Sequence, residues 1–243
     1  MLLSALLSAI IFLPAAFIAL VIPKYVQARL AARAGDGSVR ATGRLSWNPL
    51  VHLDLLGTAL LVFFQFGWAK PLRVDVDKLD GGRESAVLIA GAGPVLNLVF
   101  ATVFGLGLWI LVTASGFAVH SGDFVYEFAV AASRNPVLRY GFMLLFAGAF
   151  ANAVMAILNL LPVPPFDFGG ILRAFLSEDN RISLDVLTRY AGYVFIALVF
   201  LDYLTRAKVL YYLLYAPASY FLAFLTGTGA FELYELFFVL RGI

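Results

Sequence analysis

Residues 152–170 read NAVMAILNLLPVPPFDFGG. The stretch begins as an apolar helix interrupted only by Asn152 and Asn159, and it runs into Pro162, Pro164 and Pro165. Proline has no N–H to donate, and its ring clashes with the preceding turn, so the helix must break near Asn159. In lipid, the carbonyls freed by such a break need a cavity lined by protein or water. Asp167 follows at once, and a carboxylate there is costly unless it meets a cation, a metal or several donors. The stretch therefore predicts a membrane helix ending in a polar cavity that contains Asp167.

The rest of the chain supports a lipid setting. Of its 243 residues 62% are hydrophobic and 13% charged, with a mean hydropathy of +0.92, whereas soluble domains are about half apolar. A span needs about 20 apolar residues in helix, because each backbone amide must be satisfied within its own segment. Residues 1–22, 86–115 and 138–161 meet that length, 50–66 is a shorter apolar stretch, and 190–204 and 209–226 form one or two more spans. The expected fold is an all-α polytopic membrane protein with about five to six transmembrane helices. Residues 1–22 lack a basic leader and a small-residue cleavage site, so they read as a retained span. Between residues 67 and 84, Pro71, Gly81 and Gly82 break helix, while Leu72, Val74 and Val76 alternate with polar residues. That pattern predicts a short strand or hairpin at the membrane face.

Charge gives orientation rather than a partner class. The net charge is +2, which excludes a basic surface suited to nucleic acid. Lys24, Arg29, Arg33, Arg40 and Arg44 stand against the single acid Asp36, so loop 24–49 is expected on the cytoplasmic side. With no cysteine in the chain, disulfides, thiolate nucleophiles and cysteine-ligated metals are excluded. Asp202 and Arg206, four apart, read either as an ion pair or as an interfacial helix end. Asn97 and Asn152 are placed to hydrogen-bond across the bundle, and the small residues Ala90, Gly91, Ala92 and Gly93 allow helices to approach closely.

Four strings keep a common order: GRLSWNPLVHLDLLGT at 43–58, FGWAKPLRV at 66–74, AGPVLN at 92–97 and the stretch at 152–170. Together they resemble the compact bacterial branch of the site-2 protease family of intramembrane zinc metalloproteases, over residues 14–176. The resemblance implies a single membrane domain with that core followed by C-terminal helices at 190–243, seated in a bacterial inner membrane. It also implies that Asp167 stands where the family keeps its third zinc ligand, with Phe168 in place of the usual glycine and Gly170 in place of a common arginine.

The family's other two ligands and its general base come from HExxH, two histidines one turn apart with a glutamate that activates the zinc-bound water. Counting back from Gly35-Asp36, those five places hold Pro23, Lys24, Tyr25, Val26 and Gln27. No shift of register restores the motif, because the chain's two histidines are His52 and His120. His52 belongs to a family string in which it is not a zinc ligand, so it reads as a packing or hydrogen-bonding residue. His120 reads as a solvated loop residue. A zinc site would require Asp167, His52, Asp54 and His120 to converge.

The expectation is thus a pseudo-protease, with no catalytic residues and no cofactor, that acts as a membrane-embedded binding or regulatory module. Its partners would be the lipid bilayer and a transmembrane segment of another membrane protein. An active zinc protease with an atypical ligand set is the alternative, and a small transporter or channel the second. Lys24 has two readings. Its ammonium either snorkels to the interface beside Arg29 or pairs with Asp167 in the former active site, with Gln27 one turn away. Lys24, His52, Asn97, Asn152, Asn159 and Asp167 are the candidate cavity and structural residues.

Overall fold

The structure, a computed structural model, describes residues 2–64, 67–72, 74–117, 123–163 and 165–242. Helix α1 (Leu2–Arg33) is followed by a single turn, α2 (Ser38–Ala41), and a short helix, α3 (Leu55–Phe64). After a loop come α4 (Gly82–Ala114), α5 (Phe124–Arg134) and α6 (Pro136–Asn159). Then follow α7 (Phe168–Phe175), α8 (Glu178–Thr205), α9 (Ala216–Thr226) and α10 (Glu232–Gly242).

Four of these are long and apolar enough to cross a membrane among the described residues: Phe12–Arg33 of α1, then α4, α6 and α8. The chain is thus an all-helical integral membrane protein with four candidate spans, fewer than hydropathy suggested. Helix α3 has ten residues and extends about 15 Å, half the thickness of a bilayer core. The apolar run at 209–226 is helical throughout but is not one α-helix. Pro217 cannot donate back along the helix, and the residues before it open into a π turn at Tyr211–Tyr215 that leads into α9. Conversely, α8 starts well before its apolar segment, at Glu178, just after Ser177.

Helix α6 is the axis of the fold, with α1 and α4 packed against it and against each other. Its start is fixed by Asn135, whose Oδ1 accepts from the amides of Val137 and Leu138 at 3.1 and 3.2 Å, and by Pro136 at the first position. The small residues near its middle permit close contact. A Cβ added at Gly148 would lie 2.7 Å from the Phe104 ring of α4. On another side Phe142, Phe146 and Phe150 form a ladder with centroids 6.0 and 5.4 Å apart, continued by Phe237 and Tyr234 of α10. In lipid this dispersion contact, rather than water exclusion, holds the helices together. Most of the apolar stretch of α6 is buried, 78%, against 11% for α8, so α8 stands on the outside of the bundle. Its contacts inward include Phe195, edge-on to Trp68 and Phe166.

The expected strand or hairpin at 67–84 is not formed. Among the described residues there is only an isolated bridge between Leu53 and Ala69 and a 3-10 turn at Val76–Lys78. The alternation of Leu72, Val74 and Val76 is a true burial pattern, since Val76 is buried and the other two pack beside it under Ile89 and Ala174. What is missing is a partner strand. The segment's polar groups go elsewhere: Lys70 N donates to His52 O, Asp80 N donates to Ala34 O, and Arg44 donates to the carbonyls of Lys70 and Pro71.

Helix α1 also redraws the basic loop. It continues to Arg33, so Lys24, Arg29 and Arg33 belong to a helix, and Lys24 points inward. The pair read at Asp202 and Arg206 does not form. Arg206 takes a left-handed backbone (φ 54°), and Asp202 instead accepts from Val209 N at 2.6 Å.

Candidate functional site

The site lies where α1, α4 and the start of α7 meet. Lys24 and Gln27 sit three apart on α1, hence on one face, while the proline break after α6 returns the chain so that Asp167 opens α7 beside them. Lys24 Nζ donates to Asp167 Oδ1 in an ion pair. The two residues are 5% and 8% exposed, so the lysine does not snorkel, and its charge is neutralised inside the protein. Gln27 Nε2 donates to the Ala90 carbonyl of α4 at 3.1 Å.

Gly93 makes this convergence possible. A Cβ there would fall 2.0 Å from Asp167 Oδ2 and 2.7 Å from Gln27 Nε2, so no larger residue fits between the helices without displacing the pair. Gly170, where the family commonly has arginine, has a similar cause, since its added Cβ would lie 3.2 Å from Ala90 Cβ. Asp167 Oδ2 and Gln27 Oε1 are buried and have no partner among the described residues. Beside them opens a cleft of about 70 Å³ between Gln27, Val74, Ala90, Asp167, Arg173 and Thr188. Arg173 and Asp185 of its lining form an ion pair, and Arg181, which donates to the Arg173 carbonyl at 3.2 Å, pairs with Asp77 at 3.0 Å. Sequence reading missed these bridges, because Arg181 and Asp77 are 104 residues apart and neither lies in a motif.

The other candidate residues are not part of this contact. His52 is fully buried, and its Nε2–H donates to the Ser46 carbonyl at 2.9 Å, leaving Nδ1 without a partner. Desolvation lowers its pKa, helped by the nearby cations Arg44, Lys24 and Lys70 and opposed by the bond to Ser46. Asp54 Oδ1 accepts from Gly57 N at 2.9 Å at the start of α3. Asn97 and Asn152 do not bond across the bundle. Asn152 Nδ2 donates to Gly148 O of its own helix at 2.8 Å, and both amide atoms of Asn97 lack a partner. Asn159 is buried as the last residue of α6, and His120 lies outside the described residues.

These donors do not fit a zinc ion. Asp167 Oδ1 is engaged by an ammonium, which has no lone pair to offer, and positions 23 and 27 present a proline ring and an amide. His52 Nε2 and Asp54 Oδ1 are engaged by backbone groups, and no three His, Cys, Asp or Glu residues among those described converge as a metal site. No step of chemistry through a metal follows from this arrangement.

The site thus sets an aspartate that follows a proline-broken helix against Lys24 and Gln27 on the first span. The chain is 31% identical over 172 residues to the "Putative zinc metalloprotease YwhC" of Bacillus subtilis (strain 168), covering 71% of this chain and 72% of that protein. The chain belongs to the site-2 protease family. No protein-family model matches the chain, and no solved structure matches it.

Proposed function

We propose that this protein is a non-catalytic member of the site-2 protease family, a membrane-embedded binding or regulatory module of a bacterial inner membrane. The observation that supports the reading is the Lys24–Asp167 ion pair. It places a cation on the carboxylate that would otherwise bind metal, and among the described residues no His, Cys, Asp or Glu cluster stands beside it. A hydrolase of this kind needs about three protein ligands and a base, and the surroundings of Asp167 supply neither.

Loss of the chemistry leaves the cleft beside Gln27 and Asp167, with apolar walls at Leu72, Val74, Val76 and Ile89. We assign it to a partner's transmembrane segment, whose apolar side chains would line those walls. The cytoplasmic orientation of residues 33–49 belongs to the same proposal, with Arg33 and Arg40 exposed at that end of α1.

The test is zinc content and peptide-bond hydrolysis by protein purified without chelator, alongside cross-linking in native membranes from a photoreactive residue at Leu72. Expected are sub-stoichiometric zinc, no hydrolysis and a cross-link to another membrane protein. Stoichiometric zinc lost in Asp167→Ala, together with cleavage, would favour the alternative of an active protease with an unusual ligand set.

A further inference from the structure

A second cleft, of about 660 Å³, lies at the other end of α8 from the Arg173–Asp185 bridge. Asp185 and Asp202 are seventeen residues apart on this helix, or about 26 Å, so the two clefts are separate. This one is lined by Asp202, Arg206, Lys208 and the tyrosines 203, 211 and 234. Three features set it apart. Opposite charges line it without joining, because neither Arg206 nor Lys208 forms an ion pair with a described residue. Among the described non-glycine residues only these two have positive φ, 54° and 57°, a backbone conformation that L side chains rarely adopt. Strained backbone of this kind concentrates at ligand clamps. Finally, α8 is a candidate span and the cleft surrounds its last turn, the depth at which lipid headgroups lie and at which tyrosine is enriched.

A ligand complementary to the cleft carries an anion and a cation a few bonds apart. We propose that it binds the headgroup of phosphatidylethanolamine, with the phosphodiester on Arg206 and Lys208 and the ammonium at Asp202 beside the tyrosine rings. Arginine and lysine supply charge-assisted donors to the phosphate oxygens. Asp202 spends one oxygen on Val209 N and has lone pairs left for an ammonium, which tyrosine faces also attract.

Delipidated protein in mild detergent is incubated with phosphatidylethanolamine, phosphatidylglycerol or inorganic phosphate, and bound species are counted by native mass spectrometry. The expected result is one retained phosphatidylethanolamine per chain, in preference to phosphatidylglycerol, with free phosphate not retained. The double variant Arg206→Gly and Lys208→Gly should lower retention about tenfold or more. Glycine adopts the same φ without strain, so the substitutions are compatible with the backbone there. Asp202→Asn, which keeps an acceptor for Val209 N, should abolish the preference between the two lipids without abolishing binding. Undiminished retention in the double glycine variant would overturn the proposal. So would equal retention of both lipids by the unmodified protein, or displacement of the lipid by inorganic phosphate. The Asp202→Asn comparison decides the matter independently if the double variant does not fold.

Discussion

Replacing Lys24 by methionine removes an ammonium while keeping a side chain of similar length, and it leaves Asp167 8% exposed with no counter-charge. Unit charges in contact attract by about 4 kcal/mol at an effective dielectric of 20. The desolvation of both groups cancels part of that, so the intact pair has a small net worth, whereas removing one partner costs about 3–5 kcal/mol. The surroundings offer little relief. Asp167 Oδ2 has no partner, the Gln27 amide is committed to Ala90 O, and Gly93 presses its helix backbone against the carboxylate. We therefore expect Lys24→Met and Asp167→Asn each to destabilise the protein by about 3 kcal/mol. The double variant, with no charge to bury, should lose less than either single variant rather than the roughly 6 kcal/mol expected from addition, a coupling of at least about 3 kcal/mol. Reversible unfolding in mixed micelles of increasing denaturing-detergent fraction, followed by circular dichroism, measures all four proteins. Additivity within about 0.5 kcal/mol would refute the pairing.

Gly93→Ala should cost about 1–3 kcal/mol in the same assay, since its methyl would lie 2.0 Å from Asp167 Oδ2; unchanged stability would show that the helices are not in contact there. Burial lowers the His52 pKa below 6.5, so the unfolded chain takes up a proton first as pH falls. Its contribution should be complete above about pH 6.5 and decline below it, and His52→Gln, which retains a donor for Ser46 O, should flatten the slope of stability against pH. The triple change Pro23→His, Lys24→Glu and Gln27→His should restore zinc binding before cleavage, measurable as metal content against hydrolysis, because the close approach of Gly93 constrains the pose of Asp167. With no native cysteine, an Arg33→Cys variant in inverted and right-side-out vesicles should react with impermeant maleimide only from the cytoplasmic face.

Local physics made much of the fold legible. Hydropathy located α4 and α6 to within a few residues, because apolar length is a property of each segment alone. The end of α6 followed from Pro162 and its neighbours, since a missing N–H breaks a helix whatever surrounds it. The lost HExxH motif was a matter of composition: no histidine precedes His52.

Tertiary structure decided everything that depends on how one helix is rotated against another. No local pattern states whether Lys24 reaches outward to the interface or inward. The choice is made by a carboxylate 143 residues away, on a chain turned back by the proline break, and by Gly93 opening the space between them. The alternation at 72–76 records burial on one side, but a strand also needs a partner, and none lies beside it among the described residues. Asn97 and Asn152 were equally able to face each other or their own helices, and rotation left Asn152 bonded within α6. The second cleft was invisible for the same reason: Asp202 and Arg206 read as an ion pair or a helix end, and nothing local placed Lys208 and Tyr234 beside them.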